Sequence, residues 1–179
     1  TSLFFLLFFS RIYFTCKEYS MKHCLTIAGS DSCGGAGIQA DLKAFSANGV
    51  YGMSVITAVT AQNTQGVFDV QDINPSVIAH QIEAVMDDIR VDAIKIGMVS
   101  RPETIEIIAS TLKKYPLPPL VIDPVMISKS GYDLLQPEAK KALIETLLPM
   151  ATLITPNLPE AEVIVGYTID TIELMQKAA

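Results

Sequence analysis

The sequence predicts an α/β fold: a mostly parallel sheet with helices on both faces. Three observations carry that prediction. From Met21 onward, short β-rich runs alternate with segments of helical period, as they do when crossover helices link parallel strands. Half of the residues are apolar and 18% are charged, a balance that favours a buried core over disorder. Three of the apolar runs end directly in glycine-rich or polar segments, at residues 29–37, at Asp123 and at Asn157. In open α/β sheets, ligands gather beyond such strand ends.

Residues 1–20 stand apart from the rest. Leu3-Phe4-Phe5-Leu6-Leu7-Phe8-Phe9 is far shorter than the ~20 apolar residues needed to cross a bilayer. No basic segment precedes it and no small-residue cleavage site follows, which argues against a secretory signal. Met21 stands immediately before the first strand pattern. Residues 1–20 are therefore expected to be an apolar N-terminal extension of upstream translated sequence or a cloning remnant, with a membrane-surface anchor as the competing reading, and residues 21–179 the folded domain.

Within that domain, strands are predicted at 24–28, 53–60, 93–96, 120–122 and 152–155, with a shorter one at 67–73. The run 29–37 turns the chain into a helix beginning Ile38-Gln39-Ala40-Asp41. Asn74-Pro75 supplies a cap and a proline at the first helical position, and Ile78, Ile82, Val85 and Ile89 recur at helical spacing through Arg90. Pro102 opens a second such helix, with Ile105, Ile108 and Leu112 turned inward, which stops before Pro116. Pro137 opens another, through Leu147. Asp170-Thr171-Ile172-Glu173 has capping-box spacing for a last helix. No terminating glycine follows it before Ala179, so the chain is expected to stop partway through a domain, its C-terminal part missing.

Composition removes several function classes. A net charge of −6 without a local Lys/Arg cluster argues against a nucleic-acid footprint. Cys16, Cys24 and Cys33 are odd in number and lack C-x-x-C spacing, which indicates neither a disulfide framework nor a zinc site and fits a cytoplasmic protein. His23 and His80 have no nucleophile near them in sequence and receive no catalytic role.

The motifs that remain point to a small molecule. Gly29-Ser30-Asp31-Ser32-Cys33-Gly34-Gly35-Ala36-Gly37 lets the backbone approach a ligand closely, and the helix after it is expected to offer unpaired first-turn N–H groups. It is neither a Walker A loop nor a G-x-G-x-x-G turn. A purely structural turn, with Asp31 and Asp41 capping or solvated, is the plain alternative. Asn157 and Glu160 are spaced to hold a hydrated Mg²⁺ against phosphates, or to cap a helix. Asp123, at a strand end before a proline, is poorly suited to burial without a partner and is expected to complete a cation site. The Gln62 amide both donates and accepts, which suits an aminopyrimidine edge. Met98 offers an adaptable apolar wall, or core packing. Lys129 lies in a polar stretch that suits a lid over phosphates or a plain solvent loop.

Five segments taken in order closely resemble the hydroxymethylpyrimidine/phosphomethylpyrimidine kinases of thiamine biosynthesis, a family of the ribokinase-like superfamily: LTIAGSDSCGGAGIQADLKAF, VITAVTAQNTQGV, IKIGMVS, VIDPVM and LITPNLPEAE. The resemblance runs from about Met21 to Gly166. It implies a ribokinase-like fold and an ATP- and Mg²⁺-dependent kinase that phosphorylates 4-amino-5-hydroxymethyl-2-methylpyrimidine and then its monophosphate. It further implies that Gln62 reads the pyrimidine edge while Gly29, Asp31, Ala36, Asp41, Met98 and Val125 shape the pocket. Asn157, Glu160 and Lys129 then serve nucleotide and phosphate, and Asp123 and Glu160 serve the metal. The implied partner is the small pyrimidine, with no nucleic acid or membrane, and a homodimer is the assembly such kinases often form. Family members carry a Gly-Thr-Gly-Cys-type loop for the transferring phosphoryl group. After Gly131 this sequence has only Gly166, so catalytic residues are expected beyond Ala179 and the chain is expected to be inactive or nearly so alone. A pyridoxal kinase and a non-catalytic binding module are the rival readings.

Overall fold

The computed structural model describes residues 21–126, 135 and 137–179. Residues 1–20 and Lys129 lie outside the described residues. The elements are β1 (His23–Ala28), α1 (Gly37–Ala47), β2 (Tyr51–Ile56), β3 (Ala58–Gln62), β4 (Val67–Asp72), α2 (Pro75–Met86), β5 (Ala93–Ile96), α3 (Pro102–Leu112), β6 (Leu120–Ile122), α4 (Pro137–Ala142), β7 (Leu153–Ile154), α5 (Leu158–Val165) and α6 (Ile172–Ala178). Five strands form a parallel sheet in the order β2-β1-β5-β6-β7, and β3 and β4 form a separate antiparallel pair.

Alternation along the strands sorts their side chains between the two faces of the sheet. Thr26 of β1 and Lys95 of β5 both reach Asp41 on α1. Their neighbours Leu25, Ile27, Ile94 and Ile96 therefore point to the opposite face. There they join Leu120 and Ile122 in one core with Ile78 and Ile82 of α2 and Ile105, Ile108 and Leu112 of α3, all of them essentially inaccessible to water. Right-handed crossovers demand this split: the chain leaves β1 towards β2 and returns past it to β5, which puts α1 on one face and α2 and α3 on the other. Burying these side chains at roughly 25 cal/mol per Å² of apolar surface is the main force holding the layers together.

Local signals account for most element ends. The Asn74 side chain accepts from the Ser76 N–H, with proline following at the first position of α2. Gly166 closes α5 in the left-handed conformation at φ 76°. The cap of α6 is Thr171, whose hydroxyl oxygen accepts from the Leu174 N–H.

Three expectations need correction. The predicted strand 53–60 is two strands. At Thr57 the chain leaves the parallel sheet: its N–H donates to the Ala28 carbonyl, its own carbonyl accepts from Ile73, and Ala58 starts the hairpin. The apolar run continues across this point because both segments have buried positions, so hydrophobicity does not mark the change of partner. The helix expected through Arg90 ends at Met86. The helix expected through Leu147 is α-helical only to Ala142 and widens to a π-turn over Leu143–Leu147 before Pro149, which has no N–H to continue it.

Candidate functional site

The parallel register lines up the residues that follow the strands. Gly97 donates to the Ile27 carbonyl, Asp123 to Ile96 and Thr155 to Ile122, so the loops after β1, β5, β6 and β7 leave the sheet along one edge. The strand order reverses at β1, between β2 and β5, which makes the β1/β5 end the crevice. Gly29 and Met98 meet there. A Cβ on Gly29 would lie 3.3 Å from the Met98 methyl and 3.7 Å from the Ala58 carbonyl oxygen. A concavity lined by Met21, Leu42, Val50, Tyr51 and Gly52 lies at the other end of the sheet, where β1 and β2 begin, and shares no residue with this crevice.

The glycine loop is held from inside. The buried Asp31 carboxylate accepts the N–H groups of Cys33 (2.9 Å), Gly35 (2.9 Å) and Ala36 (2.8 Å) and the Cys33 thiol (3.3 Å). Burial pushes this carboxyl up, but the thiol and the three N–H groups together hold it below its ordinary value. The Ile38 N–H donates to the Gly29 carbonyl at 3.0 Å. The N–H groups of Gly35 and Ala36, which precede α1, and that of Ile38 in its first turn are therefore spent within the loop, which corrects for Ile38 the expectation of unpaired first-turn N–H groups. Asp31 shapes the loop, since both of its oxygens are engaged by these donors.

The β3–β4 hairpin is stitched onto the loop. The Ser32 hydroxyl donates to the Gln62 carbonyl (2.7 Å) and accepts from its N–H (2.8 Å). The Thr60 hydroxyl donates to the Ser30 carbonyl at 2.9 Å, and the Thr60 N–H to the Ser30 hydroxyl. With its backbone fixed at both groups, Gln62 presents its side chain at the rim, the carboxamide oxygen sharing the Thr60 hydroxyl proton with the Ser30 carbonyl at the longer distance of 3.3 Å.

On the floor, the Asp41 carboxylate accepts from Thr26 (2.6 Å) and from Lys95 at both oxygens (3.1 and 3.0 Å). Asp123 is half-buried at the end of β6. Burial raises its carboxyl above the ordinary value; Lys95 opposes the rise, the charges of Glu160 and Asp41 add to it, and a hydrogen bond from Thr155 offsets part of it.

Asn157 and Glu160 form a complete capping box on α5, with Asn157 Oδ1 accepting the Glu160 N–H and Glu160 Oε2 accepting the Asn157 N–H. Glu160 is 3% exposed and its Oε1 accepts the Met126 N–H at 3.2 Å. The carboxylate thereby ties the turn Asp123-Pro124-Val125-Met126 to α5 and fixes Val125 beside Asp123. Among the described residues, no three His, Cys, Asp or Glu side chains cluster as a metal site, and no helix is long and apolar enough to cross a membrane.

Sequence reasoning missed Gln39, whose Oε1 accepts the Asp31 N–H at 2.8 Å, the serines that bind loop to hairpin, and the pair Thr26 and Lys95. A signal existed for the last two: each is a polar residue between fully buried Leu or Ile neighbours on a central strand.

Comparison with known proteins places the chain in a family. The hydroxymethylpyrimidine/phosphomethylpyrimidine kinase of Haemophilus influenzae is 54% identical over 160 residues, an overlap of 89% of this chain and 60% of that protein. This chain thus spans well under two thirds of the length of that relative. The crystal structure of phosphomethylpyrimidine kinase from Clostridium difficile 630 superposes with a TM-score of 0.85 at 63% identity, covering 88% of this chain and 68% of that one. A Bacillus subtilis pyridoxal kinase in complex with ADP gives 0.78 at 44% identity, covering 89% and 60%. The family model described as phosphomethylpyrimidine kinase matches residues 31–179. This chain belongs to the phosphomethylpyrimidine kinase family.

Proposed function

We propose that this chain forms the pyrimidine pocket of an ATP-dependent kinase that phosphorylates 4-amino-5-hydroxymethyl-2-methylpyrimidine and its monophosphate in thiamine biosynthesis. The observation that carries the proposal is the meeting of Gly29 with Met98 beyond the ends of β1 and β5, with Gln62 held against the same glycine loop by Ser32. Glycine at 29 lets the Met98 methyl pack against the loop backbone, and the Met98 thioether offers an adaptable apolar wall for a flat ring. The Gln62 carboxamide, with donor and acceptor side by side, complements a ring nitrogen next to an exocyclic amine. Asp41 is a fixed acceptor on the floor. Asp31 acts by holding Ala36 and the loop in place, and Val125 closes the β6 side. These contacts leave the hydroxymethyl arm to point along the sheet edge towards Asp123 and Asn157.

The residues present fit Mg²⁺ in a limited way. Asp123 is a hard oxygen donor whose ionised form lacks solvation, and a cation relieves that. Glu160 already accepts two N–H bonds and suits an outer, water-mediated contact, as Mg²⁺ held mainly by water and phosphates allows. When bound, the ion neutralises charge on the phosphates. Overall, the substrate hydroxyl oxygen forms a bond to the terminal phosphorus of ATP and gives up its proton, which is released to solvent, while the bond from that phosphorus to the bridging oxygen breaks and ADP leaves. Cys24 and Cys33 are free thiols and agree with a cytoplasmic location.

Calorimetric titration with the aminopyrimidine and with pyridoxal tests the reading. The unmodified chain should bind the pyrimidine more tightly, and Gln62→Leu should weaken it by about 1–3 kcal/mol, roughly 5- to 150-fold. Unchanged affinity in Gln62→Leu removes Gln62 from the site. Tighter binding of pyridoxal selects the pyridoxal kinase reading instead.

A further inference from the structure

The crevice floor contains a cation to which the proposed function gives no task. Lys95 lies in the middle of the sheet, between Ile94 and Ile96, two of the most deeply buried residues of the chain. An ammonium is costly in such a place unless it is paired and hydrogen-bonded. Its side chain is 24% exposed and that of Asp41 17%, so the pair is neither fully buried nor an ordinary surface bridge.

The geometry is that of a clamp. Lys95 Nζ lies 3.1 Å from Asp41 Oδ1 and 3.0 Å from Oδ2, while the Thr26 hydroxyl donates to Oδ2 at 2.6 Å. A carboxylate offers roughly four acceptor positions. Three are taken by two strands of the sheet, and the one left over belongs to Oδ1. The orientation of Asp41 is therefore set by β1 and β5 rather than by its own helix.

A second observation places the ammonium at the ligand end of the sheet. A Cβ on Gly97 would lie 2.9 Å from Lys95 Nζ and 3.1 Å from the Ala28 Cβ. Lys95 thus folds forward along β5 into room that exists because residue 97 is glycine, one residue before Met98. Asp123, on the next strand, also feels the Lys95 charge. The ammonium sits among the carboxylates of the crevice and gives its hydrogen bonds to Asp41.

We infer that Lys95 is a positioning residue for pyrimidine binding, acting through Asp41 by holding that carboxylate in a single orientation beneath the ring. This inference rests on the proposed function. A clamp serving only to fasten α1 to the sheet would affect stability and leave ligand discrimination alone, and the two roles separate experimentally.

The test is calorimetric titration of the 179-residue chain with the aminopyrimidine, using Lys95→Met, Lys95→Arg, Asp41→Asn and the double variant Asp41→Asn/Lys95→Met, with urea midpoints measured in parallel. Lys95→Met should weaken pyrimidine binding roughly tenfold or more, as expected when an ionic hydrogen-bond partner is lost. Lys95→Arg should restore most of the affinity. In the Asp41→Asn background, Lys95→Met should bring no further loss, because the residue through which Lys95 acts has been changed.

If Lys95→Met does not fold because Asp41 is left unpaired, Lys95→Gln, which can still donate to Asp41 without the charge, decides in its place: weakened pyrimidine binding by the folded variant supports the inference, and full affinity overturns it. An additional loss in the double variant overturns it. Full affinity in Lys95→Met with a lowered urea midpoint also overturns it, by showing a structural clamp only. No pyrimidine binding by the unmodified chain overturns the functional reading and this inference with it, whereas binding that ignores Lys95 overturns the inference alone.

Discussion

Gly37→Ala examines the glycine loop at its tightest point. Gly37 begins α1 at φ +55°, and a Cβ on it would collide with the Gly29 carbonyl oxygen and lie 3.2 Å from the carbonyl carbons of Gly29 and Ser30. Two penalties follow. A non-glycine residue in the left-handed region costs about 1–2 kcal/mol. The contact is with backbone, which has no rotamer to change, so the loop must retreat and the 3.0 Å hydrogen bond from Ile38 to the Gly29 carbonyl is lost, at about 0.5–1.5 kcal/mol. Together these give roughly 1.5–3.5 kcal/mol.

Two other glycines serve as internal standards. Gly49 also has positive φ, +69°, but nothing lies within 4 Å of its added Cβ, and Gly66 has open space without the unusual backbone. Urea denaturation should place Gly66→Ala within about 0.5 kcal/mol of the parent, Gly49→Ala about 1–2 kcal/mol below it, and Gly37→Ala lowest. Because the Gly29 carbonyl belongs to the crevice wall, Gly37→Ala should also weaken pyrimidine binding, and Gly49→Ala should not. Equal destabilisation by Gly37→Ala and Gly49→Ala would refute the claim that close backbone approach, rather than φ alone, demands glycine at 37.

Three further outcomes are expected. Burial raises the Asp123 carboxyl, with Lys95 opposing and Glu160 and Asp41 reinforcing the rise; the folded state then binds this proton more tightly than the unfolded state, and ionisation above the ordinary value of 3.8 works against folding. Asp123→Asn should therefore raise the melting temperature at neutral pH in metal-free buffer, the gain shrinking as pH falls towards that value, and a lower neutral-pH melting temperature contradicts the argument. Asp92 has the opposite sign: the His23 N–H, Lys22 and Arg90 hold it down at about 2, so the stability that Asp92→Asn removes should be constant above pH 3.8 and vanish as pH falls through about 2. Among the described residues, the buried Thr111 hydroxyl has no hydrogen-bond partner; Thr111→Val, of nearly equal shape, should stabilise the chain by about 1 kcal/mol in urea denaturation, and a loss of stability would reveal a partner for that hydroxyl.

How far the site was legible in the sequence varies from residue to residue. The loop 29–37, Asp123 and Asn157 are recognisable because each follows an apolar strand, and strand ends are marked by changes in hydrophobicity. Asp31 is visible as a residue of the loop, but its task is not, since whether a carboxylate meets a ligand or the N–H groups two to five residues ahead depends on how the chain turns between them. Asn157 and Glu160 are spaced equally well for a cation and for a cap, and the structure makes them a complete capping box that also holds Met126.

Local chemistry determined the alternation of strands and helices, the proline and asparagine starts of the helices, and the need for glycine in the first loop, because those preferences act over a few residues. The tertiary structure decided which strands lie together, where the apolar run turns at Thr57 into a second sheet, and which side chains meet. Asp41 and Lys95 are 54 residues apart in sequence. They meet because a right-handed crossover lays α1 on the face towards which β5 turns Lys95, and no short-range preference in the sequence encodes that contact.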